Sequence, residues 1–140
     1  MKTKDKIEIY TDGGSRGNPG PSASGYTVNG KGYGEFLGNN TNNFAEYTAV
    51  ILALKKAGEV AGKNAKATSV DLKSDSLLLI NQLNGKYKVK ALNLKPLFGE
   101  VCELVKEFKS VKFTHVYRED NVEADEQVNI VLDREADKKI

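Results

Sequence analysis

The chain has 140 residues, 39% hydrophobic content and a formal net charge of +2, enough for one soluble globular domain with a real core and too little for two ordinary ones. Its single cysteine excludes a disulfide framework and a cysteine zinc site and points to a reducing compartment. With no run of 18 apolar residues and no apolar leader, the sequence gives no sign of a membrane span or a signal peptide, and the expectation is a single cytoplasmic domain over residues 1–140 with no membrane partner.

In chain order, Lys6 to Asp12 alternates Ile7, Ile9 and Thr11 with Glu8, Tyr10 and Asp12, which predicts a strand ending in a carboxylate where glycines begin. Gly13, Gly14, Gly17 and Gly20 with Pro19 and Pro21 then predict a loop that can lie against a polymer backbone; the alternative is a plain Asp-Gly hairpin turn. Ala23 to Val28 and Tyr33 to Leu37 are strand candidates separated by Asn29-Gly30-Lys31-Gly32, a hairpin signal, so the first three strands form an antiparallel meander. Asn42 to Gly58 predicts a helix whose small apolar stripe (Phe44, Ala45, Thr48, Ala49, Leu52, Ala53) allows it to lie close to a sheet, with Gly58 or Gly62 as its stop. Thr68 to Ser74 is the next strand, closed by Asp75. Leu77 to Leu83 is a short helix ended by Asn84-Gly85, and Leu92 to Phe108 a longer one with Pro96 in its first turn and Cys102 as a buried thiol. Val111, Phe113 and His115 alternate in a last strand, and Asn121 to Ala136 is a final helix with an acidic first turn. Helices between strands require parallel crossovers. The expected fold is therefore α/β, a five-stranded mixed sheet with an antiparallel N-terminal meander plus parallel strands, flanked by helices.

Charge is unevenly distributed along the chain. Seven lysines between Lys86 and Lys112 face three glutamates, whereas Arg118 to Asp137 holds eight acids against two arginines. A lysine-bearing surface beside a carboxylate cluster suits a metal-dependent enzyme on a polyanion, although solvated helix faces explain most such runs. Asp12 and Asp75 stand at strand ends, Glu46 in the first turn of a helix and Asp125 in the first turns of the last. Each has an ordinary alternative: a capping box from Asn43 to Glu46, an N-cap at Asp75-Ser76, and a favourable helix N-terminus for Asp125. Parallel strands that end together bring their last residues to one rim, about 5 Å apart per strand, where ligands of such sheets bind. Clustered carboxylates raise one another's proton affinity, so the set makes sense around hard cations such as Mg²⁺ or Mn²⁺, and all-oxygen ligation excludes a typical zinc site. Two such ions about 3.5–4 Å apart form the clamp used for in-line displacement at phosphorus. The chemistry indicated is phosphodiester hydrolysis.

The motifs that carry these residues are Tyr-Thr-Asp-Gly-Gly-Ser-Arg-Gly-Asn-Pro-Gly-Pro from Tyr10, Thr-Asn-Asn-Phe-Ala-Glu-Tyr from Thr41, Ser-Asp-Ser from Ser74 and Arg-Glu-Asp-Asn-Val-Glu-Ala-Asp from Arg118. Over essentially the whole chain, Lys6 to about Asp137, the sequence resembles the type 1 ribonuclease H family. The resemblance implies a ribonuclease H-like fold and hydrolysis of the RNA strand of RNA/DNA hybrids by a monomer using two Mg²⁺ or Mn²⁺ ions. It implies Asp12, Glu46, Asp75 and Asp125 as metal ligands, and His115 as the family histidine of proton transfer or product release. Gly13 and Gly14 would approach ribose 2′-hydroxyls in the wide minor groove, and Asn18, Asn42 and Asn43 match groove-contacting positions. Thr41 matches a residue of the pocket for a DNA-strand phosphate.

Departures from the family pattern refine the expectation. The long basic protrusion of bacterial members is missing, which resembles the compact, archaeal-like subtype. Leu77 replaces a groove-contacting glutamine, and His115-Val-Tyr-Arg-Glu-Asp replaces a glycine-rich loop, which makes Arg118 a catalytic candidate beside His115. Gln127 and Val128 stand for the usual leucine and alanine, with a stability cost expected at Gln127. Double-stranded RNA is a further candidate substrate. The alternative function is a non-catalytic nucleic-acid-binding domain of the same fold, which four intact carboxylates disfavour because an uncompensated acidic cluster is costly to keep.

Overall fold

The computed structural model describes residues 5–138. Strands β1 (Lys6–Ser15), β2 (Gly20–Val28), β3 (Lys31–Asn40), β4 (Ser69–Ser74) and β5 (Ser110–His115) form one five-stranded sheet in the order β3-β2-β1-β4-β5. The helices are α1 (Asn42–Ala61), α2 (Leu77–Leu83), α3 (Lys95–Val105) and α4 (Val122–Asp137), with 3-10 turns at Gly62–Ala67 and Arg118–Asp120. The pairs β1/β2 and β2/β3 are antiparallel, whereas β1/β4 and β4/β5 are parallel, so the sheet is mixed as the crossovers require. Asn29 (φ 49°) and Gly30 (φ 86°) make the hairpin turn that the Asn-Gly pair predicts.

β1 departs from its predicted end. It continues through Gly13 and Gly14 to Ser15 because β2 keeps pairing with it, Asp12 opposite Gly25 and Gly13 opposite Ser24. The parallel ladder to β4 stops earlier, at Thr11 opposite Ser74. Asp12 is thus a mid-strand residue placed one position beyond the parallel ladder, so it still stands at the rim. Gly13 is needed for close approach rather than for a turn: a methyl group there would collide with the α1 backbone at Ala45 and Glu46. The loop shrinks to the residues between β1 and β2.

α1 lays Ala45, Ala49, Ala53 and Ala57 toward the sheet, and with Val50 and Leu54 it covers Ile7, Ile9, Val70 and Leu72. Its left-handed cap is Gly62 (φ 56°), so the helix passes Gly58 and runs to Ala61. α3 starts at Lys95 rather than Leu92, with Pro96 in its first turn, and leaves Leu92 82% exposed. Cys102 is exposed, not buried. Val101 and Leu104 define the inward stripe of α3, and the residue after Val101 is rotated about 100° away from it. On the other face of the sheet, α4 packs Val128, Val131 and Leu132 on Ala23 of β2, and any side chain at Gly25 would strike the α4 backbone at Ala124. Gln127 lies over Gly32, where its side chain occupies the space that a methyl group on that glycine would need. Among the described residues no helix is long and apolar enough to cross a membrane.

Candidate active site

The residues flanking the parallel strand ends meet in a cavity of about 340 Å³ lined by Asp12, Glu46, Asp75, Asp125, Arg118 and Asn42, among others. β1 delivers Asp12. Glu46 comes from α1, whose N-cap is Thr41: its hydroxyl accepts the Phe44 N–H at 3.2 Å. The capping box from Asn43 to Glu46 therefore does not form, and the Glu46 carboxylate is free to face the cavity. Asp75 directly follows β4, while the N-cap of α2 is Ser76, which accepts the Leu79 N–H at 3.2 Å. Asp125 lies in the first turn of α4.

One buried residue sets the α4 side of this arrangement. Asn121, 1% exposed, donates from Nδ2 to the Thr11 carbonyl at 2.9 Å, the carbonyl immediately before Asp12. Its backbone carbonyl accepts the Asp125 N–H at 3.2 Å. Asn121 thus links two predicted ligands through the backbone, and its Oδ1 is buried without a partner. Motif reading passed over it because its role lies in packing. The available signal was an amide one helical turn before an acid in the same motif.

The electrostatics are those of partly buried carboxylates close to one another, with Arg16 and Arg118 also in the cavity lining. Burial, the charge of Asp75 and both a hydrogen bond and a charge from Asp125 push Asp12 up to about 8, against a smaller opposing effect of the Gly13 backbone N–H. Burial pushes Glu46 up to about 7, opposed by a hydrogen bond from Ser76 and aided by the charge of Asp75. Near neutrality a proton therefore occupies a place that a hard cation could take, and the all-oxygen donor set fits Mg²⁺ or Mn²⁺. Among the described residues no three His, Cys, Asp or Glu side chains stand in a ready-made coordination set.

The remaining predicted residues divide between cavity and surroundings. Arg118, Gly13, Gly14 and Asn42 line the cavity. Asn42 accepts the Ser15 N–H at 2.8 Å and gives its own N–H to Asn18 Oδ1 at 3.0 Å, so Asn18 is tied to the cavity wall. Thr41, Asn43 and His115 are not among the lining residues. Thr41 is the cap of α1, Asn43 is exposed, and His115 ends β5 opposite Ser74 with its ring edge-on to Tyr117 at 5.9 Å. A larger depression of about 480 Å³ at the opposite ends of the strands, lined by residues including Lys6, Asp71 and Lys112, contains none of the predicted site residues.

A family model described as reverse transcriptase-like matches residues 12–131. A ribonuclease HI of Halobacterium salinarum is 37% identical over 134 residues, an alignment covering 91% of this chain and 65% of that protein. A bifunctional protein of Mycobacterium tuberculosis is 34% identical over 138 residues, covering 94% of this chain and 36% of that protein. The chain thus spans less than two thirds of the length of either relative. Among solved structures, the LC11 RNase H1 in complex with an RNA/DNA hybrid, an enzyme isolated from compost by a metagenomic approach, superposes with a TM-score of 0.87 at 36% identity over 93% of this chain and 99% of its own. RNase H1 of Halobacterium salinarum gives a TM-score of 0.82 at 36% identity over 92% and 98% of the two chains.

Proposed function

The chain belongs to the type 1 ribonuclease H family, and from that premise we propose that it is a metal-dependent endonuclease that hydrolyses the RNA strand of RNA/DNA hybrids. The observation that carries this reading is the convergence of Asp12, Glu46, Asp75 and Asp125 on one cavity at the end of the parallel strands, with Asp12 and Glu46 pushed up to about 8 and about 7. A module that only bound nucleic acid would gain nothing from burying carboxylates beside one another.

In this reading the four carboxylates hold two Mg²⁺ or Mn²⁺ ions, which when bound supply an activated water and charge stabilisation at the leaving oxygen. The chain's own groups do the rest. Gly13 and Gly14 line the cavity wall, where their backbone would meet a ribose 2′-hydroxyl, the group that separates RNA from DNA. The Asn18 and Asn42 amides stand beside that wall and suit the mixed donors and acceptors of a minor groove. Arg118, in the cavity lining, holds a phosphate oxygen through its planar fork, whereas His115 acts from outside it on proton transfer or product release. Exposed Lys86, Lys88 and Lys90 supply sequence-independent attraction to backbone phosphates. The proposed unit is a monomer.

The test is to incubate end-labelled RNA/DNA, RNA/RNA and DNA/DNA duplexes with Mg²⁺, Mn²⁺ or EDTA. Cleavage of the RNA strand of the hybrid, abolished by EDTA, is expected, and the RNA/RNA arm decides whether double-stranded RNA is a second substrate. Binding of the hybrid without cleavage under either metal would replace this reading with the binding-module alternative.

A further inference from the structure

Arg16 lines the carboxylate cavity and has no role in the assignment above. It directly follows β1, where its backbone N–H donates to the Pro21 carbonyl at 2.8 Å. Its side chain crosses to α4: Nη2 donates to Asp133 Oδ1 at 2.6 Å and to Asn129 Oδ1 at 3.5 Å. Asn129 also lines the cavity and turns its other end toward a predicted ligand. Its Nδ2 donates to the Asp125 backbone carbonyl at 3.2 Å and to the Asp125 carboxylate at 3.4 Å. The order of donors and acceptors fixes this amide, with oxygen toward Arg16 and nitrogen toward Asp125.

A guanidinium offers five N–H donors, and among the described residues the side-chain contacts of Arg16 engage Nη2 alone. Nε and Nη1 retain a planar fork that matches two oxygens of a phosphate. The side chains of Arg16 and Asp133 are 44% and 68% exposed, so solvent screens the ion pair, and the carboxylate orients the guanidinium more than it neutralises it. Asp133 lies two turns, ~12 Å along the helix axis, beyond Asp125, whereas Arg118 precedes α4. The two cavity arginines therefore flank the carboxylates along the helix. A strand passing over the carboxylates would meet one guanidinium near the start of α4 and the other farther along it.

Resting on the hybrid-cleavage reading above, we propose that Arg16 is a phosphate-binding residue, preset by Asp133 and Asn129, that grips a non-scissile backbone phosphate of the RNA strand lying across the carboxylates. The competing account is a plain structural tie between the loop after β1 and α4. The two differ in what Asp133 does. A tie is lost equally from either end, whereas a phosphate contact survives removal of the carboxylate that orients it.

The test measures binding of the full chain to an RNA/DNA hybrid in EDTA over a range of salt, together with steady-state kinetics in Mg²⁺. Arg16→Ala is expected to weaken binding ~3–10-fold whatever the base sequence, and to reduce the slope of log affinity against log salt by ~0.7–0.9, the loss of one phosphate contact. KM should rise while kcat stays within about twofold, because a remote phosphate is held alike in ground and transition states. Asp133→Asn should keep the wild-type salt slope. A neutral methylphosphonate placed at each linkage in turn should identify one RNA-strand position that weakens wild-type binding and has no further effect on Arg16→Ala. An unchanged salt slope in Arg16→Ala, equal losses of affinity in Arg16→Ala and Asp133→Asn, or a sensitive linkage on the DNA strand would each overturn the proposal. Failure of the wild-type protein to cleave the hybrid would instead overturn the underlying reading, and it is seen before any variant is compared.

Discussion

Replacing Asp12 with Asn probes the site by two independent routes, catalysis and stability. Asn is nearly isosteric but carries no charge, so cleavage is expected to vanish while the fold remains. In the metal-free protein, the Asp12 carboxyl is pushed from 3.8 up to about 8. A carboxyl with a raised folded-state value contributes its full stability below the unfolded value, and that contribution is lost as pH rises through the folded one. The loss thus develops between about pH 4 and pH 8. The shift from 3.8 to about 8 sets a ceiling near 6 kcal/mol at ~1.4 kcal/mol per pH unit. Proton sharing with Asp125 and solvent relaxation around the opening of the cavity reduce the expected gain of the variant to ~1–3 kcal/mol. For a domain of this size that is about 3–12 °C in Tm. Thermal unfolding in EDTA at pH 4.5 and pH 9 measures it: the Asn variant should lead by little at the lower pH and by the full amount at the higher one. Excess Mg²⁺ should then narrow the gap by stabilising the wild type alone. A gap of equal size at both pH values would refute the electrostatic reasoning, and retained cleavage would refute the metal-site assignment itself.

Three further outcomes follow from the same geometry. Arg118→Ala should lower kcat on a hybrid more than His115→Ala does, since Arg118 lines the cavity and His115 does not; wild-type turnover in Arg118→Ala, with folding checked by circular dichroism, would remove its phosphate-holding role. Replacing Lys86, Lys88 and Lys90 together by Ala should weaken hybrid binding and lower the salt slope by roughly 2–3, and an unchanged slope would assign these lysines to a merely solvated surface. Asn121→Ala leaves the buried Thr11 carbonyl without its donor, so it should destabilise the protein by about 1–3 kcal/mol in urea unfolding. The same variant should weaken the Mg²⁺-induced rise in Tm, and an unchanged Mg²⁺ response would limit Asn121 to stability.

Most of the strand order was legible because alternation, an Asn-Gly turn and crossover helices each constrain topology independently. The positions of Asp12 and Asp75 at one rim followed from parallel pairing alone. Boundaries were read less well where tertiary contacts overrode local chemistry. Gly13 and Gly14 read as loop because glycine weakens an isolated strand, yet β2 supplies partners for both and α1 occupies the space a side chain would need. Cys102 read as buried because its neighbours are apolar, but the apolar stripe of α3 excludes its position. Asn43 and Glu46 have the spacing of a capping box, yet Thr41, one residue earlier than the expected start of the helix, takes the capping role and frees Glu46.

Asn121 was illegible for a different reason, and it shows how the site is held. Asp12 has three anchors that involve its neighbours' backbone rather than its own carboxylate. The parallel ladder ends at Thr11, the Thr11 carbonyl accepts from Asn121, and Gly13 lets α1 descend onto the strand beside Glu46. Mutual repulsion would push apart carboxylates mounted on mobile loops, since nothing else opposes it in the absence of a cation. Here the carboxylates are mounted on a sheet and two helices packed largely through uncharged atoms, and burial first, with the neighbouring charges adding to it, raises the proton affinity of Asp12 and Glu46. A backbone scaffold of this kind fixes the chain positions from which the four carboxylates reach the cavity, so only their side chains need to turn toward a cation, which limits the reorganisation that electrostatic stabilisation would require. Residues such as Gly13 and Asn121, which offer no ligand, are therefore as necessary to that arrangement as the carboxylates they position.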